Sequence, residues 1–422
     1  MHDGTSSRSR GGNTRREFLK SAAAVAASGL SAALPLGCGG PKAKPNAKPN
    51  SRANAPTLSQ VNGPRSLRAH AGAHGMLVGC AVNPDRLDGD ADYARTVAEQ
   101  CSILVPENAM KWAALRPSPQ QFDFRKADDV VVFALSHDQK VRGHNLCWHN
   151  ALPAWFASTV TKGNAAQFLT QHIQTVAGRY AGKMHSWDVV NEAVDVKSGR
   201  PDGLRDSPWL ELIGPGYLEL AFRTARQADP SALLTYNDYG IELDTQEQID
   251  KRGQVMMLVR RLKARDVPID AVGVQSHLTA GDAPGAGLVH FVRELREMGL
   301  QVFITEMDVN DRKLPESVPE RDAAVAQTYR DYLTMMLAEP NVNTVLTWGI
   351  TDRDTWLNGL AHASRPDGKP ERPLPFDYDC SPTRAFFAER DAIDSRRTGA
   401  QPGGDPYAPF KPGQGSPRSQ YE

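Results

Sequence analysis

Eight short apolar runs, a few dozen residues apart and separated by stretches of helical spacing, constrain this chain more than any other feature. They are Leu77 to Val82, Ile103 to Pro106, Val141 to Trp148, Trp187 to Val190, Leu233 to Tyr236, Ala271 to Val274, Val302 to Thr305 and Thr344 to Ile350. Between two of them, Leu169, Ile173, Val176 and Tyr180 fall on one helical face. Asn164, with Gln167 three residues on, predicts the cap of that helix. Strands alternating with helices at such intervals predict an α/β fold of the closed parallel (β/α)8 barrel type rather than a sandwich. A doubly wound open sheet competes, but the glycine-rich phosphate loop it often carries is absent. Gly79-Cys80-Ala81-Val82-Asn83 runs into Pro84 without a GxGxxG pattern.

The ends of the chain read differently from its middle. Thr14-Arg15-Arg16-Glu17-Phe18-Leu19-Lys20 precedes a weakly apolar stretch from Ser21 to Gly37, a pattern similar to a twin-arginine export signal. The stretch is short and poor in Leu and Ile for a membrane-spanning helix. Cys38 follows Leu36-Gly37 and is a candidate lipid-accepting cysteine; Pro35 stands where such signals usually carry Leu, and an ordinary peptidase cut nearby is the alternative. Residues 1–40 are therefore expected to be an export signal, which places the chain in the periplasm, outside the cell or on a membrane. Residues 41–64, rich in Pro, Lys, Asn and Ala, are expected to be a linker, and 394–422 an unstructured tail. The block from 65 to 393 then has the size of one barrel domain.

Composition narrows the function. Lys plus Arg equals Asp plus Glu at 49 each, which argues against a surface built to neutralise nucleic acid or coat an anionic membrane. Five cysteines without a CxxC pair leave room for one disulfide but do not suggest a zinc site. In a barrel the chemistry sits where strands end on the C-terminal face, and here those ends are polar. Glu107, Asn108 and Lys111 follow the second run; His144, Trp148 and His149 close the third; Asn191-Glu192 the fourth; Asn237-Asp238-Tyr239 the fifth; Gln275-Ser276-His277 the sixth; Glu306-Met307-Asp308 the seventh; and Trp348, then Asp352 and Trp356, the last. Carboxylates, amides, imidazoles and indoles at so many strand ends describe a cleft for a polyhydroxylated ligand. Cleaving a glycosidic bond requires two carboxyl groups at one anomeric carbon, and Glu192 with Glu306 is the best pair, facing each other across the barrel mouth.

These motifs resemble glycoside hydrolase family 10, the endo-1,4-β-xylanases. Trp187-Asp188-Val189-Val190-Asn191-Glu192-Ala193 is similar to the family's acid/base signature, and Ile304-Thr305-Glu306-Met307-Asp308 to its nucleophile strand. Pro106-Glu107-Asn108-Ala109-Met110-Lys111-Trp112, Arg142-Gly143-His144, Trp148-His149, Asn237-Asp238-Tyr239, Gln275-Ser276-His277-Leu278 and Thr347-Trp348-Gly349-Ile350-Thr351-Asp352 continue the likeness in the family's order. It covers about residues 76 to 390, nearly the whole folded block.

The resemblance implies a retaining double displacement with Glu306 as nucleophile and Glu192 as acid, then base. It assigns His277 as a partner that keeps Glu306 ionised, Asp308 as a plausible orienter of that imidazole, and Asn191 as a contact to the sugar 2-hydroxyl. Glu107, Asn108, Lys111, His144 and Gln275 are implied to hold sugar hydroxyls on the nonreducing side, Asn237 and Tyr239 to contact substrate, and Trp148, Trp348 and Trp356 to supply flat apolar walls. Trp112 and Trp187 are expected in the core, Asp188 as a buried support, and Cys80, Cys101 and Cys147 as small buried hydrophobes. The implied substrate is xylan or a xylo-oligosaccharide, with no cofactor or metal, no nucleic-acid partner, and a monomer as the expected state. Asn145, Cys147, Asn150, Ala151, Gly240 and Ala109 depart from the family's common residues, which bears on chain length and side-branch preference. A glucan- or mannan-cleaving barrel glycosidase and a noncatalytic glycan-binding protein are the rival readings.

Overall fold

The computed structural model describes residues 57–396. The expected export segment, Cys38 and most of the expected linker and tail lie outside them. Among the described residues, no helix is long and apolar enough to cross a membrane.

Among the described residues, nine strands occur in chain order: β1 Leu77–Val82, β2 Ile103–Pro106, β3 Lys140–Cys147, β4 Ser186–Asn191, β5 Leu233–Asp238, β6 Ala271–Val274, β7 His277–Thr279, β8 Gln301–Asn310 and β9 Val342–Thr347. All pairings among them are parallel. β1 lies between β2 and β9, β2 to β6 follow in order, and β6 pairs with β8, so eight strands close into a barrel. The short β7 is an outrigger on the far half of β8, pairing His277 with Asp308.

Side chains alternate along each stave. In β1, Leu77 and Ala81 join Ile103, Val105, Leu346 and Trp348 in one cluster, while Val78, Cys80 and Val82 join the main core. Trp112 and Trp187 are 1% and 0% exposed, and Cys80, Cys101 and Cys147 are buried. The outer face of the barrel receives helices such as Ala165–Arg179, whose Leu169, Ile173 and Val176 are wholly buried. Asn164 stands at the N-cap of that helix, as expected, but its side chain makes no capping bond. Asn164 spends its amide on the preceding turn instead, accepting from Thr161 N–H at 2.7 Å and donating to Thr159 O at 3.1 Å.

The linker also ends earlier than composition suggests. Residues 57–64 contribute two 3-10 turns, Leu58–Gln60 and Gly63–Arg65, and Leu58 and Val61 join the core. Gln100 fastens this stretch, donating to Val61 O at 3.1 Å and accepting from Leu67 N–H at 3.0 Å. Two apolar side chains scattered among polar ones carry too little periodicity to stand out in sequence.

Three staves lose their register at the C-terminal end of the barrel: β3 between His144 and Cys147, β4 between Asp188 and Val190, and β8 between Ile304 and Met307. Such irregularities turn side chains away from the strict inward–outward alternation. They fall on the strands that carry His144, Asn191 and Glu306.

Candidate active site

Glu192 is the first residue after β4, and its backbone adopts φ 56°, a left-handed conformation that costs a β-carbon-bearing residue about 1–2 kcal/mol. Neighbours hold it there. Its N–H donates to Asn237 O at 2.8 Å, and its carbonyl accepts from Arg205 Nε at 2.8 Å. The carboxyl turned out by this geometry accepts from Trp148 Nε1 at 2.9 Å, Gln275 Nε2 at 3.1 Å and Asn191 Nδ2 at 3.2 Å.

Glu306 lies within β8 and is 5% exposed. Its Oε1 accepts from Asn237 Nδ2 at 2.8 Å, and the same amide donates to Asn191 Oδ1 at 2.8 Å. The two acids are thereby joined through Asn237 and Asn191. Asn237 is fully buried, and Thr305 Oγ1 donates to its oxygen at 2.7 Å, which fixes which way the amide points. Gly273 on the neighbouring strand gives that amide its space, since a β-carbon there would stand 2.2 Å from Asn237 Oδ1.

His277 Nε2 stands 3.4 Å from Glu306 Oε2, and its Nδ1 is 3.0 Å from Asp308 Oδ1. Burial disfavours a charged imidazole, but the Asp308 charge and the bonds to Asp308 and Glu306 outweigh it, leaving His277 well above the usual histidine range. Glu306 responds in the opposite sense. Burial alone would raise its carboxyl, yet the His277 bond and the positive charge of His144, His277 and Arg142 hold it at about 2. Both shifts favour a protonated imidazole beside an ionised carboxylate.

The remaining predicted residues divide by position. His144 is 2% exposed and hydrogen-bonds Asp188 Oδ2 at 2.7 Å through Nδ1; Arg142, fully buried, pairs with the same oxygen at 2.5 Å. Lys111 Nζ donates to Asn108 Oδ1 at 2.8 Å, and Asn108 Nδ2 donates to Glu107 Oε1 at 3.0 Å. The ammonium lies 5.2 Å from the centre of the Trp148 ring and 5.6 Å from that of Trp348, a cation over two indoles. Burial lowers Lys111 below the usual lysine range, opposed by the charges of Glu306, Glu107 and Glu192, and burial raises Glu107. Trp348 packs inside the barrel mouth with Trp356 against it. Trp356 Nε1 donates to Asp308 Oδ2 at 2.6 Å, so this wall is tied to the residue that orients His277. Tyr239 stands apart from the carboxyl network: it is 38% exposed, its hydroxyl accepts from Arg205 Nη2 at 2.9 Å, and Lys251 Nζ sits 3.7 Å from its ring centre.

Motif reading did not single out Arg205, and it gave no role to His149, Arg142 and Thr305, which stand within the motifs. Arg205 also pairs with Asp195 at 3.1 Å, and His149 Nε2 lies 4.0 Å from Glu192 Oε2. Burial first, then the Arg205 charge, lower His149 to about 3, so it faces Glu192 uncharged. Among the described residues, no group of three or more His, Cys, Asp or Glu is placed to hold a metal ion.

A closed parallel barrel whose strand ends present two linked acids, one held ionised, among amides and indoles places this chain in the class of barrel glycoside hydrolases. Residues 66–392 match the profile of glycosyl hydrolase family 10, and the chain belongs to that family. A β-1,4-xylanase of Dictyoglomus thermophilum is 36% identical over 306 residues, covering 70% of this chain and 83% of that protein. Native xylanase 10B from Thermotoga maritima superposes with a TM-score of 0.71 at 33% identity, over 78% of this chain and 98% of its own. Xylanase 10B from Thermotoga petrophila in complex with xylobiose gives 0.72 at 32% identity, over 78% and 97%.

Proposed function

We propose that this chain is an endo-acting, retaining xylanase that cleaves internal β-1,4 bonds of xylan. The observation that carries the reading is the division of labour between two acids on one amide bridge: Glu306 is held ionised by His277, and Glu192 lies under the Trp148 and Gln275 donors. In the first step Glu306 Oε bonds to C1 as the C1–O bond breaks and Glu192 gives its proton to the leaving oxygen. In the second, water adds to C1, Glu192 takes its proton, and the Glu306 ester is released as carboxylate. Asn191 and Asn237 reach the 2-hydroxyl side of the sugar, where hydrogen bonds strengthen in the oxocarbenium-like transition state. Glu107, Asn108, Lys111 and His144 hold hydroxyls on the nonreducing side, and Trp148, Trp348 and Trp356 give the ring its flat walls.

Reducing-sugar release from xylan, cellulose and mannan, with anomer-resolved NMR of the first products from xylo-oligosaccharides, tests this. Turnover of xylan with β-configured first products is expected. Activity confined to cellulose or mannan overturns the substrate, and α-configured first products overturn the double displacement.

The same reading places the enzyme outside the cytoplasm, supported by Thr14 to Lys20 and the apolar stretch after it. If Cys38 carries a lipid, Cys38→Ser moves the protein from the membrane to the soluble fraction; unchanged fractionation removes the anchor.

A further inference from the structure

Trp356 reaches the cleft on the long segment after β9, residues 351–376, whose regular parts are two 3-10 turns, Asp352–Asp354 and Trp356–Gly359. A knot of buried charge fastens this segment to the barrel. Asp311, one residue past β8, and Glu371 are both fully buried, and Arg321 and Arg365 beside them are 1% and 6% exposed. Arg321 Nε donates to Asp311 Oδ2 at 2.6 Å and its Nη2 to Pro370 O at 2.6 Å. Arg365 donates to Asp311 O at 2.6 Å and to Leu314 O at 3.0 Å, and pairs with Asp367 at 2.7 Å. Glu371 spans the gap: its Oε2 accepts from Asp311 N–H at 2.9 Å, and its own N–H donates to Asn358 Oδ1 at 2.9 Å, within the turn that carries Trp356.

One oxygen is left over on each acid. Asp311 Oδ1 and Glu371 Oε1 are both buried without a hydrogen-bond donor, and the bond from Asp311 N–H to Glu371 Oε2 sets the two acids side by side. Arg365 Nη1 stands 3.7 Å from Asp311 Oδ1. Two ionised carboxylates in that contact would repel with both oxygens unmet, whereas a single proton between them satisfies both.

We propose that Glu371 and Asp311 share one proton, and that this acid pair is the clasp by which the last barrel loop holds Trp356 against Asp308. Glu371 is thus a positioning residue acting through Trp356, an assignment that rests on the xylan-cleaving reading above. The charges facing the pair are Arg321 from the helix Val318–Leu337, with Arg365 and Asp367 from the loop. Arg372 next to it is engaged by Asp322 at 2.6 Å and stands 3.8 Å from the buried Asp352. Burial foremost, then Asp311, push the Glu371 carboxyl up to about 8, with Arg365 opposing. A group raised in this way contributes stability that is full below its unfolded pKa and is lost as pH rises through the folded one.

The test is KM and kcat on a xylo-oligosaccharide for the full chain as wild type, Glu371→Gln and Glu371→Ala, from about pH 6 to about pH 9.5. The Gln amide can donate to Asp311 Oδ1 permanently, so this variant is expected to keep the wild-type KM at the acid end and hold it at the alkaline end. Wild-type KM is expected to rise severalfold above about pH 8, and Glu371→Ala to show the raised KM throughout, with kcat profiles alike. A Gln variant that behaves like Ala overturns the clasp. So does a flat wild-type KM profile, which decides the matter alone if the Gln variant does not fold. If the wild type does not cleave xylan, the substrate reading falls, and thermal melts judge the clasp instead. Glu371→Gln must then gain on wild type as pH rises from about 5 to about 8, and no gain overturns it.

Discussion

Among the groups that hold the Glu306 carboxyl low, the His277 imidazole comes first. His277 is held between two carboxyl groups, Asp308 on one nitrogen and Glu306 on the other, so its proton is stabilised from both sides and it passes that benefit to Glu306. Removing the Glu306 side chain should therefore abolish the first bond-forming step and leave space beside His277. Glu306→Gly is expected to lose hydrolysis of an aryl xyloside by several orders of magnitude and to recover part of it with added azide, which can occupy the vacated position and attack C1. Intact folding with no recovery in azide would remove the covalent role. The two acids and most of the residues that touch them were legible in the sequence because each follows an apolar run within a short polar motif. Arg205 was not, and Thr305 stood in its motif without a role: each acts through a group that primary structure does not advertise, the Glu192 carbonyl and the Asn237 amide oxygen. The resemblance implies Tyr239 as a sugar contact; in the fold its hydroxyl accepts from Arg205 and Lys251 stands over its ring.

Among the elements, the staves were readable and their endings were not. Apolar runs mark buried parallel strands directly, but β8 continues from the expected Thr305 to Asn310; the sixth stave stops at Val274, as its run does. The break there has a cause: Ser276 adopts φ 67°, with its N–H donating to the buried Glu242 at 3.0 Å and its hydroxyl bonded to Tyr332 at 2.7 Å. The chain then restarts as β7, which brings His277 alongside Asp308. Glu192 and Ser276 thus share a device, a left-handed residue just past a strand that aims a functional side chain. Neither is glycine, so sequence gives no sign of the turn. The same limit explains Asn164, where a good capping residue found a nearer pair of backbone partners.

For the whole molecule, the barrel carries a cost in acid. His149 is held at about 3 and His185 at about 4 by burial, and His172, with no hydrogen-bond partner on either nitrogen, is pushed well below the usual range. A histidine neutral when folded and charged when unfolded stabilises the fold fully above about pH 6.5 and loses that contribution as pH falls, by up to about 1.4 kcal/mol per pH unit each. Thermal stability is expected to drop between about pH 6 and about pH 4 on that account. His172 stacks on Trp112 with ring centres 3.7 Å apart. His172→Phe keeps an aromatic ring there without the proton, and should raise Tm more at about pH 5 than at about pH 7.5. An equal shift at both would clear His172 of the effect.

The indole of Trp356 carries a consequence for redesign. Because its N–H ends on Asp308, the wall proposed to face the sugar is also tied to the residue that orients His277. Trimming that wall to admit bulkier rings would loosen the support of His277 in the same stroke, so selectivity and reactivity here cannot be adjusted one at a time.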